Sequence, residues 1–219
     1  MKKIRIAIDG PASSGKSTVA KQLAQKLQYV YLDTGAMYRC MTLSLLEHHV
    51  DLTDETLVSE WIKKQKIEFI THDNQQSVLL NGENVTLAIR EARVSKHVSL
   101  ISSYKHVREE LVRQQRAYIQ QGGIIMDGRD IGTVVMPEAE LKIFMVASAY
   151  ERAKRRYQEH VQRGDYTQSV EEIQRQIEKR DYIDSTRLES PLTKANDAIE
   201  IDTTELNINQ VVEKIMSYL

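Results

Sequence analysis

Ile4-Arg5-Ile6-Ala7-Ile8-Asp9-Gly10-Pro11-Ala12-Ser13-Ser14-Gly15-Lys16-Ser17-Thr18-Val19 is the stretch on which the fold turns. Residues 4–9 are a short β-like run, residues 10–17 fit G-x-x-x-x-G-K-S, and Val19, Leu23 and Leu27 then recur at four-residue steps as a helix stripe over 16–27. Strand, glycine loop and helix in that order are the context in which this motif cradles a polyphosphate. The glycines let backbone N–H groups turn toward an anion, and the helix start adds positive dipole. Lys16 reaches the terminal phosphates, and Ser17 can ligate Mg²⁺. The alternative is a chance glycine-rich strand-to-helix turn, which the strand before and the amphipathic helix after disfavour. Gly10, Pro11, Ala12, Ser13, Ser14, Gly15, Lys16, Ser17 and Thr18 are therefore read as a nucleoside triphosphate site.

Further strands and helices follow from period and punctuation. Residues 29–32 read as a strand, Asp33-Thr34-Gly35 as a turn and 36–49 as helix. From 66 to 85 the period shortens to short β-like runs, separated by His72-Asp73-Asn74 and by Asn81-Gly82, a strong hairpin signal. Helical patterns cover 87–101 and 105–121, short buried-type strands 124–127 and 141–146, and a closing strand and helix 198–202 and 208–219. Five short strands alternating with helices, interrupted by one antiparallel insert, predict an α/β fold: a parallel five-stranded sheet flanked by helices, of the P-loop NTPase type.

Composition narrows the function classes. The 219 residues suit one well-buried domain, or a core with an inserted lobe. Thirty Lys plus Arg against 31 Asp plus Glu leave a net charge of -1, so no global basic field holds nucleic acid or an anionic membrane. No apolar run approaches the ~20 residues of a membrane span. The N-terminal apolar stretch is short and has no small-residue cleavage site, so a cytoplasmic location is expected. Cys40 is the single cysteine, which excludes an internal disulfide and a cysteine-built metal site. Of nine glycines, Gly10, Gly15, Gly35, Gly128 and Gly132 fall in three segments, together with Pro11 and Pro137, and special backbone geometry is concentrated there.

Eleven of the 15 arginines lie between Arg108 and Arg187. Arg152, Arg155 and Arg156 share one face at i, i+3, i+4 behind a Ser148/Glu151 capping box, an unfavourable proximity of like charges unless an anion joins them. Ile173, Ile177, Arg180, Asp184 and Arg187 step by four and three, so an apolar stripe runs into a polar one, as on a helix leaving the core to line a cleft. Asp127-Gly128-Arg129-Asp130 closes the apolar run 124–126, at a strand's carboxyl end where α/β ligand sites open. Salt-bridged surface faces and a surface turn are the alternatives from spacing alone.

Taken together, I-D-G-P-A-S-S-G-K-S at 8–17, L-D-T-G-A-M-Y-R at 32–39, D-G-R-D-I-G-T-V-V at 127–135, K-I-F at 142–144, E-R-A-K-R-R at 151–156, R-D-Y-I-D-S-T-R at 180–187 and the P-L-T-K-A-N-D-A stretch at 191–198 resemble the bacterial cytidylate kinases, the CMP/dCMP branch of the nucleoside monophosphate kinases. Ser13 and Ser14 stand where many members carry Gly or Ala, and Ile183 where some carry Arg. The resemblance implies a single kinase domain with a core of about 1–33, 122–147 and 188–219, an acceptor-binding lobe of about 34–121 with an insert at about 62–104, and a short lid at about 148–166. It implies transfer of the γ-phosphoryl group of ATP to CMP or dCMP. Carried over by position, Thr34, Arg39 and Arg129 belong to the acceptor's phosphate end, Ser99, Arg108 and Asp130 to cytosine, and Asp184 and Arg187 to the ribose, with Tyr38 a further CMP-binding residue. Arg152, Arg155 and Arg156 belong to the ATP side, and Arg180 and Arg129 join Lys16 at the transferring phosphoryl group. Ser17, Asp33 and Asp127 are the candidates for holding Mg²⁺.

An acceptor phosphate oxygen is ionised near neutral pH, so no strong base is needed and the six His read as surface or packing residues. The chain is expected to act as a monomer on small molecules, with no nucleic acid and no membrane. Two alternatives remain open at this level: a phosphate-loop kinase of a small hydroxylated metabolite, which would need a base and fewer arginines, and a nucleotide switch or nucleic-acid-stimulated ATPase. Against the last two, there is no N-K-x-D motif and no apolar strand ending in Asp-Glu.

Overall fold

The structure, a computed structural model, describes residues 3–72, 75–119, 122–162, 164 and 166–219. It divides into two units, Met1–Tyr31 with Gln121–Leu219, and Leu32–Gln120. In chain order the elements are β1 (Arg5–Asp9), α1 (Lys16–Leu27), β2 (Val30–Asp33), α2 (Thr34–Glu47), α3 (Glu55–Ile62), β3 (Ile67–His72), β4 (Gln75–Leu80) and β5 (Glu83–Asn84). There follow a 3-10 turn (Ala88–Arg90), α4 (Ala92–Ile101), α5 (Lys105–Ala117), β6 (Ile124–Gly128), a π-turn (Ile131–Val135), β7 (Leu141–Val146), α6 (Ala149–Gln162), α7 (Val170–Thr186), β8 (Ile199–Asp202) and α8 (Ile208–Met216).

The predicted α/β sheet is present, with strand order β2-β6-β1-β7-β8. β1 runs parallel to both β6 and β7, and β7 parallel to β8. Ile6 and Ile8 on β1, Ile125 on β6, Ile143 and Met145 on β7 and Ile201 on β8 pack with Val19 and Leu23 of α1 and with Val211, Val212 and Ile215 of α8 into one core. That is the near-continuous apolar content expected of strands covered on both faces. In register, Asp9 stands beside Gly128 on one side and Phe144 on the other. The segments leaving β1 and β6 therefore emerge together at one end of the sheet, where ligands of such folds bind. A smaller cluster, Ala153, Ile173 and Ile177, joins α6 to α7.

In the second unit β3, β4 and β5 form an antiparallel meander. Asn81 and Gly82 both take positive φ (53° and 89°), the turn that the Asn-Gly pair announces. The other expected turn involves Asp73 and Asn74, which lie outside the described residues. Met37, Met41, Leu43 and Leu45 of α2, Val58 and Ile62 of α3, Val94 and Ile101 of α4 and Leu111 of α5 are buried apolar residues of this unit. Cys40 is fully buried as well, and burial pushes its thiol up to about 12.

Four local readings change. Asp33 is not part of a turn but the N-cap of α2: its carboxylate accepts the Ala36 N–H at 2.8 Å, so the helix starts at Thr34 with Gly35 inside it. The single helix expected over 87–101 breaks at Glu91, whose extended backbone (ψ 152°) leaves a 3-10 turn before α4. Helix α3, capped by Asp54 through the N–H groups of Thr56 and Leu57, was not anticipated. The helix expected over 105–121 ends at Ala117, and residues 120 and 121 lie outside the described set.

Candidate active site

The phosphate loop is fixed before any ligand is considered. Gly10 has φ 149°, and a Cβ there would lie 2.1 Å from the carbonyl oxygen of Met145, so only glycine lets the loop leave β1 against β7. Gly15 (φ 92°) is the N-cap of α1 and supplies no side-chain cap, and no acid occupies the first turn. The leading N–H groups and the helix dipole are thus available to an anion. Lys16 is buried and donates from Nζ to the Pro11 carbonyl at 2.6 Å and to Ser14 Oγ at 3.3 Å. Burial pushes its ammonium down to about 7, Arg129 and Arg180 push the same way, and Asp127 and Asp9 oppose them. A polyphosphate beside this lysine reverses the balance in favour of the charged form.

Asp127, buried at the end of β6, accepts from two neutral hydroxyls: Ser17 Oγ at 2.7 Å on one oxygen and Tyr31 Oη at 2.7 Å on the other. Ser17 directs its proton to the carboxylate and keeps lone pairs for another partner. Asp9, also buried, accepts the N–H groups of Ile131 and Gly132 at 2.8 and 2.7 Å. Burial pushes its carboxyl up to about 7, against those two bonds.

Asp184 on α7 is the centre of an arginine knot. Arg129 Nε donates to it at 2.9 Å, while Arg180 and Arg187 each stand 3.9 Å away. Burial pushes Asp184 up, but the three guanidiniums more than offset this and hold it below the ordinary carboxylate range. Three guanidiniums thus gather around one buried carboxylate. The stripe on α7 is as the spacing predicted: Ile173 and Ile177 are buried in the α6–α7 cluster, and Arg180, Asp184 and Arg187 continue it into the knot. Arg187 also donates twice to the Ser190 carbonyl, at 2.9 and 2.7 Å, which fixes its guanidinium.

The three arginines of α6 reach the same loop. Arg152 is buried, donates to the Ala12 carbonyl at 3.2 Å and pairs with Asp181 at 2.7 Å. Arg155 donates to the Thr203 carbonyl, to Thr203 Oγ1 at 3.3 Å and to the Ser14 carbonyl at 3.5 Å. Arg156 Nε donates to Ser13 Oγ at 3.0 Å, and Ser13 has φ 60°.

The remaining candidates lie in the second unit. Arg39 pairs with Asp33 at 3.1 Å, and Arg90 approaches the same oxygen at 3.9 Å. Thr34 and Tyr38 are buried on α2. The buried Arg108 guanidinium lies 5.3 Å from the centre of the Tyr38 ring and donates to the Ser102 carbonyl at 3.0 Å. Ser99 is half-buried in the last turn of α4, and its carbonyl accepts from Ser102 Oγ. The sequence-based candidates thus fall as phosphate loop, Asp127, Arg129, Asp130, the α6 arginines and the α7 stripe in the first unit, with Asp33, Thr34, Tyr38, Arg39, Ser99 and Arg108 in the second.

Asp9, Tyr31, Arg90 and Asp181 were not among the candidates. The Asp9 and Tyr31 partners are about a hundred residues or more away in sequence, and only the run of charge around Arg90 could have flagged that residue. Among the described residues no group of three or more His, Cys, Asp or Glu could hold a metal by itself. Ser17, which follows the loop lysine directly, and Asp127 bring a hydroxyl and a carboxylate oxygen together at 2.7 Å.

Comparison with known proteins agrees with this geometry. Solved structures of a shikimate kinase from Bacteroides thetaiotaomicron (TM-score 0.50, 10% identity, 98% of this chain and 97% of that one) and a gluconokinase from Sinorhizobium meliloti 1021 (TM-score 0.50, 11% identity, 99% and 91%) share the fold. Curated cytidylate kinases of Bacillus cereus (strain ATCC 10987 / NRS 248), over 99% of this chain and 96% of that protein, and Bacillus thuringiensis (strain Al Hakam), over 98% and 95%, are each 52% identical to it. The cytidylate kinase family model matches residues 6–219. A phosphate loop, an arginine knot and a match running nearly end to end leave one assignment: the chain belongs to the cytidylate kinase family.

Proposed function

We infer that this chain transfers the γ-phosphoryl group of ATP to CMP or dCMP, giving ADP and CDP or dCDP. The observation that carries this beyond family membership is the convergence of Arg129, Arg180 and Arg187 on Asp184 in the unit that holds Lys16. Joining two anionic substrates and neutralising the moving phosphoryl group is the main demand of such a reaction, and positioned cations meet it.

Lys16 lies on the β- and γ-phosphates, which restore its charge. Arg129 and Arg180 stabilise the transferring group, and Arg152, Arg155 and Arg156 steady the ATP side, with about 148–166 as the lid. Asp130, with Ser99 and Arg108 of the second unit, is assigned to cytosine: carboxylate and hydroxyl accept from N4, and guanidinium donates to N3 and O2. Thr34, Tyr38, Arg39 and Arg129 serve the acceptor phosphate, and Asp184 and Arg187 the ribose. The acceptor oxygen is already ionised, so no side chain takes a proton.

Ser17 and Asp127 fit a hard cation, since both offer oxygen and the Ser17 proton is already directed to Asp127. They would hold Mg²⁺ together with the phosphates, where the ion supplies positive charge to the β- and γ-oxygens. Asp33 is assigned to orienting Arg39, because its two oxygens serve the α2 cap and that guanidinium. The chain is read as a cytoplasmic monomer; no described helix is long and apolar enough to cross a membrane.

A coupled assay of ADP formation tests the activity, with CMP, dCMP, UMP, AMP, shikimate and single-stranded DNA offered separately. Turnover should be greatest with CMP and dCMP, and preference for any other acceptor overturns the assignment.

A further inference from the structure

We propose that Asp9 is a positioning residue that clamps the loop carrying Arg129 and Asp130 to the root of the phosphate loop, so that one carboxylate on β1 sets where the acceptor is read relative to Lys16. This rests on the assignment of Arg129 and Asp130 to the acceptor.

The geometry is specific. Asp9 is the last residue of β1 and immediately precedes Gly10. Its neighbour across the β1–β6 ladder is Gly128, the last residue of β6. Beyond Gly128 the chain passes through Arg129 and Asp130 and turns back. The next two N–H groups, of Ile131 and Gly132, then enter the two oxygens of the Asp9 carboxylate at 2.8 and 2.7 Å. The side chain thus continues the ladder where the strand backbone has ended.

The returning segment is held from within as well. Val134 and Val135 N–H groups reach the Asp130 carbonyl at 2.9 and 3.2 Å, and the Met136 N–H reaches the Ile131 carbonyl at 2.7 Å. Contact is tight at Gly132, where a Cβ would meet Lys142 Cδ at 3.2 Å and Asp9 Oδ2 at 3.4 Å.

Two successive N–H donors need two acceptors. A carboxylate supplies both, whereas an amide sets its own NH₂ against one of them in a buried place. Arg129 and Asp130 are the two residues directly before the clamp, so a loosened clamp displaces them first, and small displacements of positioning groups are felt strongly in turnover. The two clamp bonds go to Ile131 and Gly132 and to none of the phosphate-loop N–H groups, and the Asp9 charge is the weaker of the two carboxylate influences on Lys16, so loss of the clamp falls first on the acceptor side.

The test uses the full chain at pH 8, with Asp9→Asn, Gly132→Ala and Arg129→Ala beside the wild type. Steady-state kinetics with CMP and UMP are read together with the Kd of a non-hydrolysable ATP analogue from calorimetry. Asp9→Asn should raise KM for CMP about tenfold or more, narrow the CMP to UMP ratio of kcat/KM at least threefold and leave the analogue Kd within twofold. Gly132→Ala, which crowds the clamp from the other side, should give the same signature more weakly.

A folded Asp9→Asn with unchanged KM for CMP and unchanged base ratio overturns the proposal. So does a loss that falls equally on the analogue Kd, since Asp9 would then shape the phosphate loop itself. If Asp9→Asn does not fold, Gly132→Ala decides alone, and wild-type KM and base ratio in it overturn the clamp. Arg129→Ala separates the two levels: a raised KM for CMP there with none in Asp9→Asn overturns the clamp only, and an unchanged KM in both overturns the assignment of the loop.

Discussion

Asp184 and Asp33, one in each unit, are each approached by more than one arginine, and they carry that load differently. Asp184 sits on α7 among Arg129, Arg180 and Arg187, with its side chain 4% exposed, and bonds directly to only one of the three. Asp33 sits at the start of α2, bonds Arg39 with one oxygen and uses the other to cap the helix, while Arg90 stays 40% exposed. The first is a knot in which charge is concentrated and shielded from water, so each removal leaves buried charge uncompensated. The second is a hinge pin for one guanidinium, open enough for water to soften the loss. In the proposed reading, Arg129 and Arg180 of the knot serve the transferring group while its Asp184 and Arg187 meet the ribose, and the Asp33 pair orients Arg39 for the acceptor phosphate.

Asp184→Ala should break the comparison most sharply, lowering unfolding free energy by about 3 to 5 kcal/mol, as loss of one partner from a buried ion cluster does. Denaturant melts check this, and a loss no larger than that of Asp33→Ala would erase the distinction. Acid should show it too. The folded pKa of Asp184 lies below its unfolded value of about 3.9, so its contribution is complete above about pH 4 and is lost as pH falls through the folded value. Urea midpoints between pH 5 and 2.5 should therefore fall more steeply for the wild type than for Asp184→Asn, and equal slopes would remove the knot's electrostatic basis.

Asp33→Ala should cost about 1 kcal/mol of stability as a lost N-cap. It should also raise KM for CMP about tenfold, equivalent to about 1.4 kcal/mol, with KM for ATP within twofold. A matching rise for ATP would contradict the division of labour between the units. Asp127, which accepts from the Ser17 and Tyr31 hydroxyls, sharpens the comparison at its weak end. Tyr31→Phe removes one bond of about 1 kcal/mol, and the Mg²⁺ concentration for half-maximal rate should rise two- to fivefold while KM for CMP holds. No change in the Mg²⁺ titration would make Tyr31 a packing residue only.

What could be read from the sequence was whatever a single element carries. The loop of 10–17, the Asn81-Gly82 turn and the Ile173 to Asp184 stripe, with Arg187 at its cap, are each local to one loop, turn or helix, where spacing maps directly onto direction. The partners of Asp184 were legible in part, because Arg180 shares its helix and Arg187 caps that helix's end, while Arg129 lies 55 residues away. The Asp9 clamp spans 122 residues and the Tyr31–Asp127 bond 96, and no local period encodes a contact between strands that the sheet order alone makes adjacent. Asp33 shows the converse error: Asp-Thr-Gly has turn chemistry and N-cap chemistry alike, and only the Ala36 N–H decides between them.

Cys40 gives the second unit a stopwatch of its own. It is the chain's only cysteine, fully buried in α2, and burial keeps the thiol protonated up to about pH 12. A thiol reagent added to the native chain reports nothing until α2 opens, since the thiolate is the reactive form and the folded site both hides and protonates it. The labelling rate at rising reagent concentration then separates the frequency of that opening from its equilibrium population. The local stability of the unit that orients Arg39 becomes measurable on the unmodified sequence, with no probe engineered in and no signal from the other half of the chain.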